Sequence, residues 1–161
     1  MAALRRRLAA HLSAEPGRAT FFDNESYMNE QITAGRTMQD WTEETLRELA
    51  DGQKTGKACV KYAYSGALSG ASTVDYALFY LNPGKALFTG YETIVADGSG
   101  LSGNLVLRHE GVFENGAAQI DAHIVTEAGS GAFTGLRGTV RFEADPGDPM
   151  KSTVVIVPDP A

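Results

Sequence analysis

Apolar and polar residues alternate along most of the chain after residue 56, and turn residues separate the alternating segments. Alternation with a period of two is typical of half-buried β-strands. Strands are predicted at 57–65, 71–81, 85–96, 103–114, 117–126, 133–143 and 151–158. The turn sequences Asn82-Pro83-Gly84 and Asn115-Gly116 favour tight connections between antiparallel neighbours.

The segment before these strands predicts one more strand and a short helix. Residues 37–41 have the pattern of a first strand. Residues 42–50 predict a helix, because Thr42 can cap it, an acidic pair follows, and Asp51-Gly52 ends it. The count of predicted strands is then eight.

Eight strands joined by short links predict an all-β fold, an eight-stranded antiparallel up-and-down barrel. Most of the 18 glycines lie between Gly56 and Gly138, and glycine within strands marks the bends that a curled sheet needs. A barrel of this size has room for packed side chains or one small ligand. We expect the barrel domain at 36–161 and a partly helical N-terminal extension at 1–35.

The extension has more apolar residues than a disordered tail carries. Leu4, Leu8 and Leu12 lie on one helical stripe, and Phe21 and Phe22 follow. Apolar surface of this kind favours association. The sequence therefore predicts a homodimer.

Charge and cysteine content narrow the partners. The net charge of the 161 residues is -6, so no nucleic-acid partner is expected, because phosphate binding needs clustered Lys and Arg. No apolar run has the length of a membrane span, so no membrane partner is expected. Cys59 is the only cysteine, which fits a cytoplasmic location. Neither a metal nor a cofactor is expected, since zinc spacings, phosphate loops and dinucleotide motifs are missing.

Five segments follow one another in the order typical of one bacterial family. They are Trp41-Thr42-Glu43, Tyr64-Ser65-Gly66, Phe88-Thr89-Gly90-Tyr91-Glu92, Leu107-Arg108-His109-Glu110-Gly111-Val112-Phe113 and Gly131-Ala132-Phe133-Thr134-Gly135-Leu136-Arg137-Gly138. Over about residues 37–143 the chain resembles the bacterial domain of unknown function 3224 family, with a barrel similar to allene oxide cyclase in the calycin-like group. The resemblance implies a lumen for a hydrophobic small molecule and no particular activity, because one fold hosts many functions.

His109 is the first candidate for chemistry. Leu105, Leu107, His109 and Phe113 share the apolar face of their strand, so His109 is predicted to face the interior. An imidazole titrates close to neutral pH and suits general acid or base catalysis. The alternative is a core histidine that a neighbouring hydroxyl or carboxylate satisfies.

Glu92 is the second candidate catalytic residue. It is in phase with Phe88 and Ile94, and a carboxylate on an inward face must find a partner or take up a proton. The opposite face of this strand is nearly as apolar, so its direction stays open. A structural acid bonded to a Tyr or Arg is the alternative role.

Aromatic and apolar residues are expected to bind the substrate. Trp41 either plugs the barrel end or walls a pocket, and tyrosines on strands offer an apolar body with one polar handle. The predicted substrate-binding residues are Trp41, Tyr64, Tyr76, Phe88, Leu107 and Phe113.

Three functions follow from these residues. The first is an isomerase or cyclase that acts without a cofactor on a hydrophobic small molecule, in secondary metabolism, with His109 or Glu92 as the proton donor or acceptor. The alternative is a lipocalin-like carrier without enzymatic activity. The third is a structural barrel filled by its own side chains.

Overall fold

The computed structural model describes residues 30–98 and 100–160. Eight strands form a closed barrel in which each strand pairs antiparallel with its neighbours in sequence, and β8 closes onto β1. They are β1 Ile32–Glu48, β2 Lys54–Gly66, β3 Gly70–Asn82, β4 Lys85–Asp97, β5 Ser102–Glu114, β6 Ala117–Ile124, β7 Gly138–Asp145 and β8 Asp148–Pro158. The predicted eight-stranded antiparallel barrel is confirmed. The predicted helical extension falls on residues outside the described part, except that residues 32–35 belong to β1.

The predicted helix over residues 42–50 is wrong. β1 continues to Glu48, which pairs with Lys54 of β2, and only a single 3-10 turn, Ala50–Gly52, follows. Every side chain from residue 39 to residue 48 is exposed, so no burial pattern opposed the capping and acidic signals of a helix. Hydrogen bonding to β2 satisfies the backbone instead.

The end of the barrel at the start of β1 is closed by loop side chains. Leu68 lies in the β2–β3 turn, Leu101 in the β4–β5 turn, and Phe133 and Leu136 in the connection to β7, and all four are buried. This connection contains the 3-10 turns Thr126–Ala128 and Gly131–Phe133. β7 therefore begins at Gly138, five residues later than predicted, because this stretch plugs the barrel.

Inward-facing side chains fill the half of the lumen next to this plug. Val60, Val74, Ile94, Leu105 and Val154 are fully buried, each from a different strand. No helix in the described part of the chain is long and apolar enough to cross a membrane.

Pairing between strands is uneven around the barrel. β4 and β5 pair along their whole length. β6 and β7 share only the pairs Ala122↔Val140 and His123↔Thr139. β8 pairs with β1 only from Ile32 to Thr37, so the second half of β1 is held by β2 alone.

Candidate functional site

A cavity of about 730 Å³ enters the barrel from the end opposite the plug. Its rim is formed by the β3–β4, β5–β6 and β7–β8 hairpins and by the second half of β1. Trp41, Phe113 and Met150 lie on this rim and are 47%, 41% and 45% exposed. Cavities that bind small ligands commonly have a volume in this range and are lined mostly by apolar side chains.

Arg36 lies at the floor of the cavity and is 6% exposed. Its guanidinium carbon is 3.8 Å from the ring centroid of Tyr62 and 4.2 Å from that of Phe142. Its Nε donates a hydrogen bond to Ser152 Oγ at 3.1 Å. The two rings and this bond hold the cation in place, with cation–π attraction from both rings.

Glu92 is fully buried beneath this floor and accepts four hydrogen bonds. Arg36 Nη1 at 3.3 Å and His109 Nε2 at 3.0 Å donate to Oε1. Tyr64 OH at 2.6 Å and Ser72 Oγ at 2.7 Å donate to Oε2. Burial by itself raises the pKa of Glu92, but the bond from His109 and the charge of Arg36 outweigh it and lower the pKa below its ordinary value. Glu92 is therefore ionised at neutral pH.

His109 bridges Glu92 and Tyr76. Its Nδ1 lies 2.9 Å from the Tyr76 hydroxyl, on the opposite side of the ring from Glu92. An ionised carboxylate only accepts hydrogen bonds, so Nε2 carries a proton. In the neutral ring Nδ1 is then an acceptor, and Tyr76 donates to it.

Tyr76 carries this chain of hydrogen bonds to the cavity, since its side chain is part of the cavity lining. Burial raises the pKa of Tyr76, with further contributions from Tyr62 and Glu92, so the phenol keeps its proton at neutral pH. We call Tyr76, His109 and Glu92 the relay. It links the cavity to a buried negative charge through two hydrogen bonds.

The register of three strands brings the relay together. Tyr76 of β3 pairs with Gly90 of β4, and Gly90 pairs with His109 of β5. No side chain stands between Tyr76 and His109 in this row. A Cβ on Gly90 would lie 2.1 Å from the backbone oxygen of Asp75, so β3 and β4 approach this closely only because residue 90 is glycine.

The predicted catalytic residues are inward, and they contact each other. His109 and Glu92 are both fully buried, which settles the open direction of the Glu92 strand. Neither belongs to the cavity lining, whereas Tyr76 does. A ligand in the cavity would meet Tyr76 first.

The predicted substrate-binding residues divide into two groups. Trp41, Tyr76, Phe88 and Phe113 line the cavity. Tyr64 and Leu107 do not: Tyr64 is bonded to Glu92 within the wall, and Leu107 is fully buried in the apolar core. Both residues lie outside the cavity lining, and their role in substrate binding stays a prediction.

Sequence analysis missed Arg36, Ser72 and Ser152, and it left Tyr62, one of the strand tyrosines, out of the predicted substrate-binding residues. The signal for Arg36 was present, since Ile32, Ala34 and Arg36 alternate and all three are buried. A charged residue on the inward phase of a strand indicates a buried partner. The late predicted start of β1, at residue 37, hid this phase.

Within residues 30–98 and 100–160, no group of three or more His, Cys, Asp or Glu side chains could hold a metal ion. The candidate site is thus built from one carboxylate, one imidazole, one guanidinium and several hydroxyls. Such groups bind and move protons and bind anions.

The fold and site define a closed antiparallel β-barrel with a ligand-sized cavity and a buried polar network at its floor. Residues 32–154 match the family described as "Protein of unknown function (DUF3224)", and this chain belongs to that family. No curated protein matches the chain.

A solved structure with the same fold comes from the same family. It is the crystal structure of a protein with unknown function from the DUF3224 family of Shewanella oneidensis MR-1, at 1.84 Å resolution. The two chains are 21% identical and superpose with a TM-score of 0.63, over 82% of this chain and 98% of the other. At this identity the likeness shows the fold alone.

Proposed function

We propose that this protein is an isomerase or cyclase that binds a hydrophobic small molecule in the barrel cavity and moves a proton on it. The relay carries the proposal, because one end of it lies in the cavity and the other is an ionised carboxylate in the core. Proton transfer through a positioned side chain contributes about 10²–10⁴-fold to a rate. The likeness to allene oxide cyclase barrels supports the proposal only as a fold analogy.

The proposed step moves two protons at once. A proton leaves the substrate for the Tyr76 oxygen while the phenolic proton of Tyr76 passes to His109 Nδ1, 2.9 Å away. Glu92 stabilises the imidazolium that forms. Tyr76 is never a phenolate, so its raised pKa does not oppose the step.

The electron pair of the broken bond stays on the substrate. Return of the proton to another carbon completes an isomerisation. In a ring closure the pair attacks a carbonyl carbon of the same molecule, the C=O π pair moves to oxygen, and the proton held by the relay returns to that oxygen. Both reactions balance without an oxidant or a cofactor. Tyr76 is the catalytic residue in this proposal, and His109 and Glu92 act through it.

The apolar lining orients the substrate. Trp41, Phe88 and Phe113 line the cavity with Leu78 and Ile120. Burying apolar surface contributes about 25 cal/mol per Å², and holding the reacting atoms in place lowers the barrier further.

Exchange of substrate hydrogen for solvent deuterium tests the proposal. Small apolar ketones, such as 2-tetralone, that raise the melting temperature of the protein are incubated with it in D₂O and followed by NMR. We expect wild type to speed exchange next to the carbonyl, and Tyr76→Phe to slow it by roughly 10²–10⁴-fold. Tyr91→Phe is the matched control, because Tyr91 is 55% exposed on the outer face of β4. Equal exchange by wild type and Tyr76→Phe would contradict the proposal.

The alternative proposal is a carrier without enzymatic activity. One observation favours it: the buried hydroxyls, His109 and Arg36 satisfy Glu92 without any ligand, as in a purely structural network. A carrier predicts that wild type binds the ketone without exchange and that Tyr76→Phe keeps its affinity.

The proposal also covers the cellular location and the oligomeric state of the protein. We place the protein in the cytoplasm, because its one cysteine cannot form an internal disulfide. We propose a homodimer with no nucleic-acid or membrane partner. Light scattering on the full chain measures the assembly, and a monomeric mass contradicts the dimer.

A further inference from the structure

Arg36 and Glu92 form an ion pair whose two members face different surroundings. Arg36 lines the cavity, whereas Glu92 is 0% exposed and lies behind the floor. Each Glu92 oxygen accepts two hydrogen bonds from buried donors. Hydrogen bonds within the barrel wall therefore satisfy the negative charge of Glu92. The member of the ion pair that lines the cavity is the positively charged Arg36.

The guanidinium has donors left for a ligand. It carries five N–H groups, and Ser152 and Glu92 accept from Nε and Nη1. The rings of Tyr62 and Phe142 pack against the guanidinium, so a ligand would meet the N–H groups that these rings, Ser152 and Glu92 leave uncovered. A planar edge of N–H donors is suited to an oxygen that carries negative charge.

The charged groups at the rim do not alter this arrangement at the floor. Glu43, Asp145 and Lys151 are exposed residues of the cavity lining, and Glu43 accepts a hydrogen bond from Tyr80 at 2.8 Å. Exposed charges are screened by water and salt, whereas a buried one such as Arg36 is screened much less.

Arg36 is also placed beside the relay. Arg36 and His109 donate to the same oxygen of Glu92, and Tyr76 bonds to the far side of the imidazole. A cation and a proton acceptor therefore share one floor. This is the arrangement that stabilises an anion formed by loss of a proton.

We infer that Arg36 is an oxyanion-binding residue and that the ligand is a carbonyl compound whose oxygen binds the guanidinium. This inference rests on the proposed function. When the relay takes a proton from the carbon next to the carbonyl, the C–H electron pair forms a C=C bond and the C=O π pair moves to oxygen. The enolate oxygen that results is held by Arg36 until the proton returns.

An equilibrium measurement tests the anion site without turnover. The probe is 4-nitrophenol, whose neutral and anionic forms absorb at different wavelengths, titrated with pH in excess protein. We expect the anion to bind wild type about tenfold more tightly than the phenol, which lowers the pKa of the bound probe by about one unit. Failure of wild type to bind the anion at millimolar protein overturns the inference.

Three variants separate the floor cation from other effects. Arg36→Met is expected to abolish the preference for the anion, and Glu92→Gln to increase it, because the countercharge is gone. Lys61→Gln is the matched control for an exposed cation outside the cavity lining and is expected to leave the preference unchanged. If Arg36→Met and Glu92→Gln change the preference for the anion in the same direction, the cause is a structural disturbance, and the inference is overturned.

Folding is controlled with a double variant. Arg36→Met leaves a buried carboxylate without its cation, whereas Arg36→Met with Glu92→Gln removes both charges together. The double variant, checked by circular dichroism, is expected to bind both probe forms equally, and a retained preference overturns the inference. Anion preference without deuterium exchange supports the Arg36 site and contradicts the proposed catalysis. Deuterium exchange without anion preference supports the proposed catalysis and contradicts the Arg36 site.

Discussion

Tyr64→Phe is a clean test of how the buried carboxylate is held. The substitution removes one hydroxyl and keeps the ring, so it opens no large cavity. That hydroxyl lies 2.6 Å from Glu92 Oε2 and makes the shortest of the four hydrogen bonds to this carboxylate. Tyr64 does not line the cavity, so the effect on stability is separate from ligand binding.

The expected cost follows from the charge on the acceptor. A hydrogen bond to a charged group contributes about 1.5–3 kcal/mol, and a neutral one about 0.5–1.5. Glu92 keeps three donors, so we expect the free energy of unfolding at pH 7 to fall by about 2 kcal/mol. For a domain of this size that lowers the melting temperature by roughly 4–8 °C.

The cost is also expected to depend on pH. The bond from Tyr64 helps to lower the pKa of Glu92 in the folded state, so as pH falls the unfolded state binds a proton first and wild type loses stability. Tyr64→Phe raises the pKa of Glu92 in the folded state, so the variant loses less of its free energy of unfolding than wild type does. The difference between the two proteins therefore shrinks toward about 1 kcal/mol, the value of a neutral bond, as pH falls below the ordinary pKa of 4.5.

Urea unfolding at several values between pH 7 and pH 3 measures this difference, because the lowered pKa of Glu92 lies below 4.5. Tyr91→Phe, on the outer face of β4, is the control and is expected to stay within about 0.5 kcal/mol of wild type. A cost below about 0.5 kcal/mol for Tyr64→Phe at pH 7, or a cost that does not change with pH, would refute the reasoning.

Three further substitutions test other parts of the structure. Glu92→Gln is expected to lose less stability than wild type as pH falls below 4.5, because it removes the carboxylate whose folded pKa is lowered. If the free energy of unfolding, measured with urea, falls with pH as steeply as in wild type, this prediction is contradicted. Gly90→Ala is expected to cost about 1–3 kcal/mol or more, since its Cβ would lie 2.1 Å from the Asp75 oxygen, and calorimetry measures it. Phe133→Ala is expected to cost about 3–5 kcal/mol, because Phe133 is 1% exposed in the plug; an unchanged midpoint in urea would contradict its role there.

The strands were predictable from the sequence wherever one face is buried and the other exposed. The alternation around His109 correctly predicted that its side chain faces the interior. It failed in the second half of β1, because both faces are exposed there. A strand without a buried face carries no period-two signal, and Thr42 with its acidic neighbours then favours a helix.

The relay depends on geometry that no single strand contains. Tyr76 and His109 lie on strands that are not neighbours, and their contact passes over Gly90. Periodicity tells which residues face inward, and it does not tell which of them meet across a lumen. The ion pair between Arg36 and Glu92 joins β1 and β4, and it was hidden for the same reason.

The short seam between β6 and β7 has a dynamic consequence. Only the pairs Ala122↔Val140 and His123↔Thr139 join these strands, so fewer interstrand bonds must break there than at any fully paired neighbour. Local opening costs least where pairing is shortest. Amide protons that bond across this seam should exchange with solvent faster than those in the middle of β4, and under force the barrel should open first between β6 and β7.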